Sequence, residues 1–276
     1  MMFLAALPSS ARWARCTLVA VTTTSAHPIF DVDDDATWPQ QVGERVRALA
    51  DHARRCGRAP ENYQSLDIGS EEEIVLSLLK GHLVRARHST RLLGHEKDAI
   101  HAQGLLMLTR GLVNGRLEQA HELGYLTTAE YEALRAANET VPDRRRRGVR
   151  REDQVCLTLS TAPMTHDVDG LYRLLSYWGG EAIYWQHCEG NPELAEKLRS
   201  LGDPAIVTAL LDFTAPGAGA HRIFPSMVHV LVGKALGHEP ADADILYRAS
   251  IPPQRIESIV SPGHPEYDRF AGLPTA

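Results

Sequence analysis

Two short segments of this chain carry the residue types that chemistry on a ligand needs. The first is Arg87-His88-Ser89-Thr90-Arg91, where a ring, two hydroxyls and flanking cations gather at the end of a strand-like run. Backbone groups at a strand end lack a ladder partner and are free to meet a ligand. A plainer reading of the same residues is a satisfied surface histidine followed by a helix cap from Thr90. The second segment is Trp178-Gly179-Gly180-Glu181. Paired glycines let the backbone turn sharply and come close to a ligand, and the carboxylate that follows opens an apolar run at what would be a cleft edge. Its plainer reading is a glycine turn with an exposed glutamate.

The familiar chemical signatures are missing from the sequence. There is no Walker A loop, no dinucleotide-binding glycine fingerprint, no HExxH and no GxSxG. The 13 histidines do not fall into metal-ligand spacing, so no metal is expected. Cys16, Cys56, Cys156 and Cys188 form no CxxC pair, which argues against a zinc ribbon or a dithiol redox site and suits thiols in a reducing compartment. A net charge of −6 over 276 residues favours solubility and argues against wholesale wrapping of nucleic acid.

The elements that must position the two segments can be read from periodicity. Val42 to Cys56 reads as an amphipathic helix. Ser70-Glu71-Glu72-Glu73 reads as a capping box opening a helix that stops near Gly81. Leu83 to His88 alternates as a strand, with Val84, Ala86 and His88 on one face and Arg85 and Arg87 on the other. A helix follows through Glu96 and Ile100 to Gly104, then a helical stretch over 106–123. Thr127-Thr128-Ala129-Glu130 is a second capping box. Pro142 to Arg151 is a charged linker containing Arg144 to Arg147 in succession, most simply a solvated loop. Beyond it Val155 to Ser160 reads as a strand, Leu171 to Tyr177 as a short helix and Glu181 to Trp185 as a strand. Ala205 to Phe213 and Met227 to Leu236 fit either type, and 245–251 and 256–260 close the chain as strands. The class that follows is α+β, helical in its N-terminal half and strand-rich afterwards.

Taken in order, these pieces resemble the ADP-ribosyltransferase family. The stretch from Val84 through Leu105, VRARHSTRLLGHEKDAIHAQGL, resembles that family's first strand and helix. There a strand ending in His-x-Thr precedes a helix whose Ile leads to a Gly-Leu pair, here Ile100, Gly104 and Leu105. ILYRASIPPQRIESIV resembles the family's closing strand pair, and WGGEAIYW would be the strand bearing the catalytic glutamate. The resemblance spans roughly residues 82–260 and is closest to the His-x-Thr, DarT-like branches. The arginine-modifying branch carries Ser-Thr-Ser and a second Glu or Gln two residues before the catalytic one. Here Ser160-Thr161-Ala162 and Gly179 stand in those places, which speaks against arginine as acceptor.

The resemblance implies a split antiparallel sheet and NAD as substrate. It implies that Glu181 stabilises the oxocarbenium character that develops as the nicotinamide–ribose bond breaks. It also implies that His88 binds the adenosine ribose and that Ser89 or Thr90 steadies the dinucleotide. An arginine should meet the pyrophosphate, because a guanidinium fork matches phosphate oxygens; Arg91, Arg110 and Arg116 are the candidates. An aromatic ring should stack on nicotinamide, with Tyr177, Trp178 and Tyr184 competing against plain core packing. Gly179 would give the backbone its close approach.

The acceptor implied is a macromolecule, protein or nucleic acid, the latter suited by Arg144 to Arg151, in a toxin or defence effector with a neutralising or regulatory protein partner. The alternatives are an NAD glycohydrolase or RNA 2′-phosphotransferase on the same fold, and a non-enzymatic partner-binding protein. Residues 1–70 are expected to form an N-terminal helical or irregular extension, and residues 71–276 the catalytic domain. No stretch approaches the ~20 apolar residues of a membrane span. The opening Met1-Met2-Phe3-Leu4 and Cys16 to Val21 runs have the wrong order of charge and apolarity for a signal peptide, so a cytoplasmic protein is expected, with secretion as the alternative.

Overall fold

Strand and helix follow the hydrophobic period along most of the chain. The structure, a computed structural model, describes residues 27–57, 60–141, 151–166, 168–187, 190–218, 222–224, 226–238 and 243–275. The N-terminal runs weighed as a signal peptide, Arg144 to Arg147, Cys16 and Cys188 lie outside the described residues. The strands are β1 (Ile29–Phe30), β2 (Leu83–Leu92), β3 (Val155–Thr158), β4 (Asp203–Leu211), β5 (Arg222–Phe224), β6 (Asp244–Tyr247) and β7 (Ile256–Val260). The helices of the first half are α1 (Gln40–Arg55), α2 (Glu71–Leu78), α3 (Gly94–Gln103), α4 (Arg110–Glu122) and α5 (Thr128–Ala136). Those of the second half are α6 (Pro163–His166), α7 (Val168–Ser176), α8 (Glu181–Tyr184), α9 (Pro192–Ser200), α10 (Met227–Ala235) and α11 (Pro265–Asp268).

The protein is α+β, with an open antiparallel sheet in the order β5-β6-β3-β2-β4-β7 and β1 added parallel to the start of β2. Strand β2 is the spine. It pairs along its length with β4, from Val84 opposite Leu211 to Leu92 opposite Asp203. Toward β3 the register is Arg87 opposite Thr158. That junction links the β5-β6-β3 wing to the β2-β4-β7 wing, and His88 is the next residue along.

One face of the sheet packs against α1 and α10. Val42, Val46, Ala50 and Ala53, spaced for one side of a helix, are all buried with Val84, Ala86, Val207 and Leu231. Each fully buried Val or Leu contributes roughly 1.5–3 kcal/mol relative to exposure. Residues 27–70, read from sequence as an extension, share this core: β1 pairs with β2, and Phe30, Val46 and Leu66 belong to the same cluster. A second cluster unites α4, α5, α8 and α9 around Leu117, Leu134, Trp178 and Leu198. A third lies on the other sheet face, with Leu175, Ile206, Val260 and Tyr267.

Three expectations from sequence are corrected. Residues 181–185 do not form a strand: Glu181–Tyr184 is the single-turn helix α8, started by Gly180 at φ 62°. The Ser70 capping box does not form, and Ser70 makes no side-chain cap bond. The carboxylates nearby serve tertiary contacts instead. Glu71 pairs with Arg45 at 2.9 Å, and Glu72 accepts from the Met227 and Val228 amides at 3.0 and 2.9 Å, capping α10 from outside. The two closing strands are not neighbours; β6 pairs with β3 and β5, while β7 pairs with β4. The Thr127 capping box does form, with the Thr127 amide donating to Glu130 at 2.7 Å.

Gly104 ends α3 with φ 80°, and an added Cβ would lie 1.8 Å from the Ile251 carbonyl oxygen. That carbonyl accepts from the Leu105 amide at 2.9 Å, so the loop cannot retreat without losing the bridge. Gly104→Ala is expected to destabilise the protein by about 2–3 kcal/mol, from strain and overpacking together. Chemical denaturation of the two proteins checks this; an unchanged midpoint would show that the loop yields.

Candidate functional site

Beyond the junction of the wings, β2, α3, α4 and the start of α8 surround a cavity of about 450 Å³, within the range of small-molecule sites. His88, Ser89, Thr90, Arg116, Gly179 and Glu181 all line it. Residues from the two sequence segments singled out above therefore meet at one cleft.

His88 points toward β3, and its Nδ1 lies 2.8 Å from the Cys156 carbonyl oxygen. A carbonyl only accepts, so Nδ1 carries the hydrogen and Nε2 is left as an acceptor. Burial pushes the His88 pKa down; the Cys156 bond opposes this and the Arg116 charge adds to it, leaving it below the ordinary 6.5. The ring is accordingly neutral at pH 7.

Glu181 begins α8 and pairs with Arg151, whose guanidinium also reaches Cys156 Sγ at 3.8 Å. Burial works against the Arg151 charge, but Glu181, Cys156 and Glu139 together more than offset it and the pKa is raised. Gly179 is required for this turn. Its φ is 92°, and a Cβ would sit 2.6 Å from Ile183 Cδ1.

Of Arg91, Arg110 and Arg116, Arg116 is the one that lines the cavity. Its Nε donates to Glu96 at 2.6 Å, its guanidinium lies 5.3 Å over the Trp178 ring, and its buried Nη2 has no hydrogen-bond partner. Glu96 is buried and also accepts from the Leu93 amide and from Trp178 Nε1, each at 2.8 Å. The result is a fork anchored at one edge and free at the other.

Five expected site residues lie elsewhere. Arg91 points away from the cavity, donating to the Leu201 carbonyl at 2.7 Å, because alternation along β2 puts it on the face opposite His88 and Thr90. Arg110 is exposed at the first turn of α4, off the cavity. Trp178 is wholly buried beneath Glu96. Tyr177 and Tyr184 stack on each other with centroids 4.9 Å apart inside the second core cluster. No Phe, Tyr or Trp among the described residues lines the cavity. Ser160-Thr161 is also remote from it: Asp33 accepts from Ser160 Oγ and the Thr161 amide, both at 2.7 Å.

Sequence reasoning passed over Glu96, Arg151 and His95, which all line the cavity. Glu96 stands at the third position of its helix, where a carboxylate normally caps and nothing more. Arg151 was legible only as the end of a charged linker.

These features define an α+β protein with a polar-ended, partly apolar cleft at the seam of its sheet. Comparison with protein-family models, curated proteins and solved structures found no match to any of them. No helix among the described residues is long and apolar enough to cross a membrane. No cluster of three His, Cys, Asp or Glu fit to hold a metal occurs among them.

Proposed function

We propose that this chain binds NAD in the cavity and transfers ADP-ribose to a macromolecular acceptor. The observation that carries the reading is that a neutral, acceptor-presenting His88 and the Glu181 carboxylate, far apart in sequence, line one cleft together with Arg116, whose buried Nη2 has no hydrogen-bond partner. The sheet, with its two wings meeting beside His88, supports the split arrangement of the ADP-ribosyltransferases.

In this reading His88 Nε2 accepts a hydrogen bond from a hydroxyl of the adenosine ribose, beside Ser89 and Thr90. The free edge of Arg116 meets the pyrophosphate. Glu181 faces the nicotinamide ribose, where its charge stabilises the oxocarbenium-like transition state. The C1′–nitrogen bond breaks, and nicotinamide departs with the bonding pair. The acceptor nucleophile forms the new bond to C1′ and releases its proton to solvent. The wall opposite is aliphatic, so nicotinamide packs on Leu and Ala side chains rather than on an aromatic ring.

Incubating the protein with labelled NAD, with and without protein or nucleic acid, tests the reading. Label on an acceptor with matching release of nicotinamide supports it. Free ADP-ribose formed without acceptor assigns a glycohydrolase instead, and loss of a 2′-phosphate from RNA assigns a phosphotransferase. Absence of NAD binding in calorimetry, with a stable protein complex recovered by pull-down, assigns a partner-binding role.

His88→Ala is expected to weaken NAD binding roughly tenfold, the loss of one hydrogen bond of about 1–1.5 kcal/mol. Wild-type affinity should be level above pH 6.5 and fall as the pH drops through the lowered His88 pKa, when Nε2 gains a proton and ceases to accept. Calorimetric titrations across that range read both effects; a pH-independent affinity would remove His88 from the binding site.

A further inference from the structure

The sheet face opposite His88 holds a second cavity, of about 400 Å³, that the proposed reaction leaves unused. Ile206, Val260 and Phe270, at the edge of the third core cluster, supply its apolar part. Strand register explains the polar part. Arg87 on β2 stands opposite Thr208 on β4, which stands opposite Ser258 on β7. Residues opposite one another project to the same face about 5 Å apart, so a guanidinium and two hydroxyls form one row across three strands. The register shifts between Thr208 and Ala209, leaving Glu257 as the extra residue of β7. A bulge of this kind re-aims side chains, and here Glu257 and Ser258 both line the cavity.

Arg87 is the member of this row that the protein leaves short of partners. Its side chain is only 10% exposed, its buried Nη1 has no hydrogen-bond partner among the described residues, and its two carboxylate neighbours stand off at 3.5 Å. Those carboxylates are engaged elsewhere. Asp31 takes Arg85 at 2.9 Å, while Asp33 takes Ser160 Oγ and the Thr161 amide at 2.7 Å and Lys234 at 3.1 Å. A buried guanidinium without its hydrogen bonds is costly, and phosphate oxygens match its fork. Charge agrees, since Arg85, Arg87 and Arg269 line the cavity against Glu257 and Glu266, and Glu257 is already held by Arg85 at 2.6 Å. Arg269, exposed just after α11, stacks 4.5 Å over Phe270. We infer that this cavity binds a phosphoryl group, free or carried by a small polyol, with Arg87, Thr208 and Ser258 as its donors. The site is separate from the His88 cavity and does not rest on the dinucleotide reading.

Amide NMR titrations of the labelled protein with inorganic phosphate, and separately with glycerol 1-phosphate, test this at constant ionic strength, with chloride as the control. Saturating shifts are expected around Arg87, Thr208 and Ser258, with a Kd on the order of 1 mM or tighter. Thr208→Val keeps the β-branched shape, removes the hydroxyl and should weaken binding about fivefold. Arg87→Gln should weaken it by at least roughly tenfold. Thermal melts confirm folding, and if Arg87→Gln does not fold, Thr208→Val decides alone. Tighter binding of glycerol 1-phosphate than of phosphate assigns a phosphate monoester, and equal or weaker binding assigns free phosphate. The assignment is overturned if neither probe moves these amides more than chloride does. It is equally overturned if both act only around His88 and Arg116, or if Thr208→Val binds like the wild type.

Discussion

Glu181→Gln is expected to lower the rate of nicotinamide release by on the order of 10²–10³-fold while NAD still binds. The magnitude is that of removing one preorganised electrostatic contact to a developing charge, about 3–4 kcal/mol. The substitution is nearly isosteric and removes only the charge, so the position of α8 should persist. The Gly179-Gly180 turn, not the carboxylate, sets the start of this helix, and Tyr184 and Ile183 anchor it in the core. The carboxylate is partly accessible, with about 20% of its side chain exposed beside Arg151, and a pair of that kind adds little to stability. The expected pattern is therefore a fall in kcat with little change in NAD affinity or melting temperature, as for a group acting mainly in the transition state. Arg151 bears on this directly. In the free protein its guanidinium pairs with the Glu181 carboxylate, a contact that Glu181→Gln weakens. Single-turnover release of labelled nicotinamide, beside calorimetric NAD binding, separates the two effects. Near-wild-type turnover in Glu181→Gln would remove this residue from the chemistry.

Much of the frame was legible because its elements are amphipathic. The Val42, Val46, Ala50 and Ala53 spacing specified α1, and alternation from Leu83 specified β2, which runs four residues past His88 because β4 pairs with it to Leu92. The 181–185 segment was misread for a physical reason. Ala182, Ile183 and Tyr184 are all buried, and a short apolar run hidden on every side has no period that separates helix from strand. The same burial misassigned the aromatics. Tyr177, Trp178 and Tyr184 flank the glycine turn in sequence, but two of the three point into the core as a stacked pair and the third is buried and donates to Glu96. Choosing Arg116 over Arg91 was within reach of the sequence, since the strand period places Arg91 opposite His88. What the sequence lacked was the tertiary pairing of Arg116 with Glu96, twenty positions away on a different helix. Arg151 is likewise brought to Glu181 only by the start of β3.

That buried carboxylate leads to the largest expected effect on stability. Glu96 accepts from Arg116, the Leu93 amide and Trp178 Nε1, and little of it reaches solvent. Removing it leaves a guanidinium, an amide and an indole N–H facing a void. Glu96→Ala should therefore destabilise the fold by about 3–5 kcal/mol, the range for breaking a buried pair from one side. Burial alone would raise the Glu96 pKa, but the charge and hydrogen bond of Arg116, with the Leu93 and Trp178 bonds, prevail and hold it below the ordinary 4.5. A carboxyl depressed on folding contributes stability that is fully present above its unfolded value. The contribution declines as pH falls from about 4.5 through the lower folded value, where the native state must also take the proton. Glu96→Gln, which cannot titrate, should lose less stability than Ala and should flatten this acid limb. Urea unfolding midpoints measured between neutral and acid pH read the slope directly. Parallel slopes for wild type and Glu96→Gln would show that Glu96 is not a source of the acid sensitivity. Because Glu96 also anchors Arg116, the same variant should weaken NAD binding at neutral pH. That coupling would tie the Glu96–Arg116 pair of the cleft to its proposed ligand.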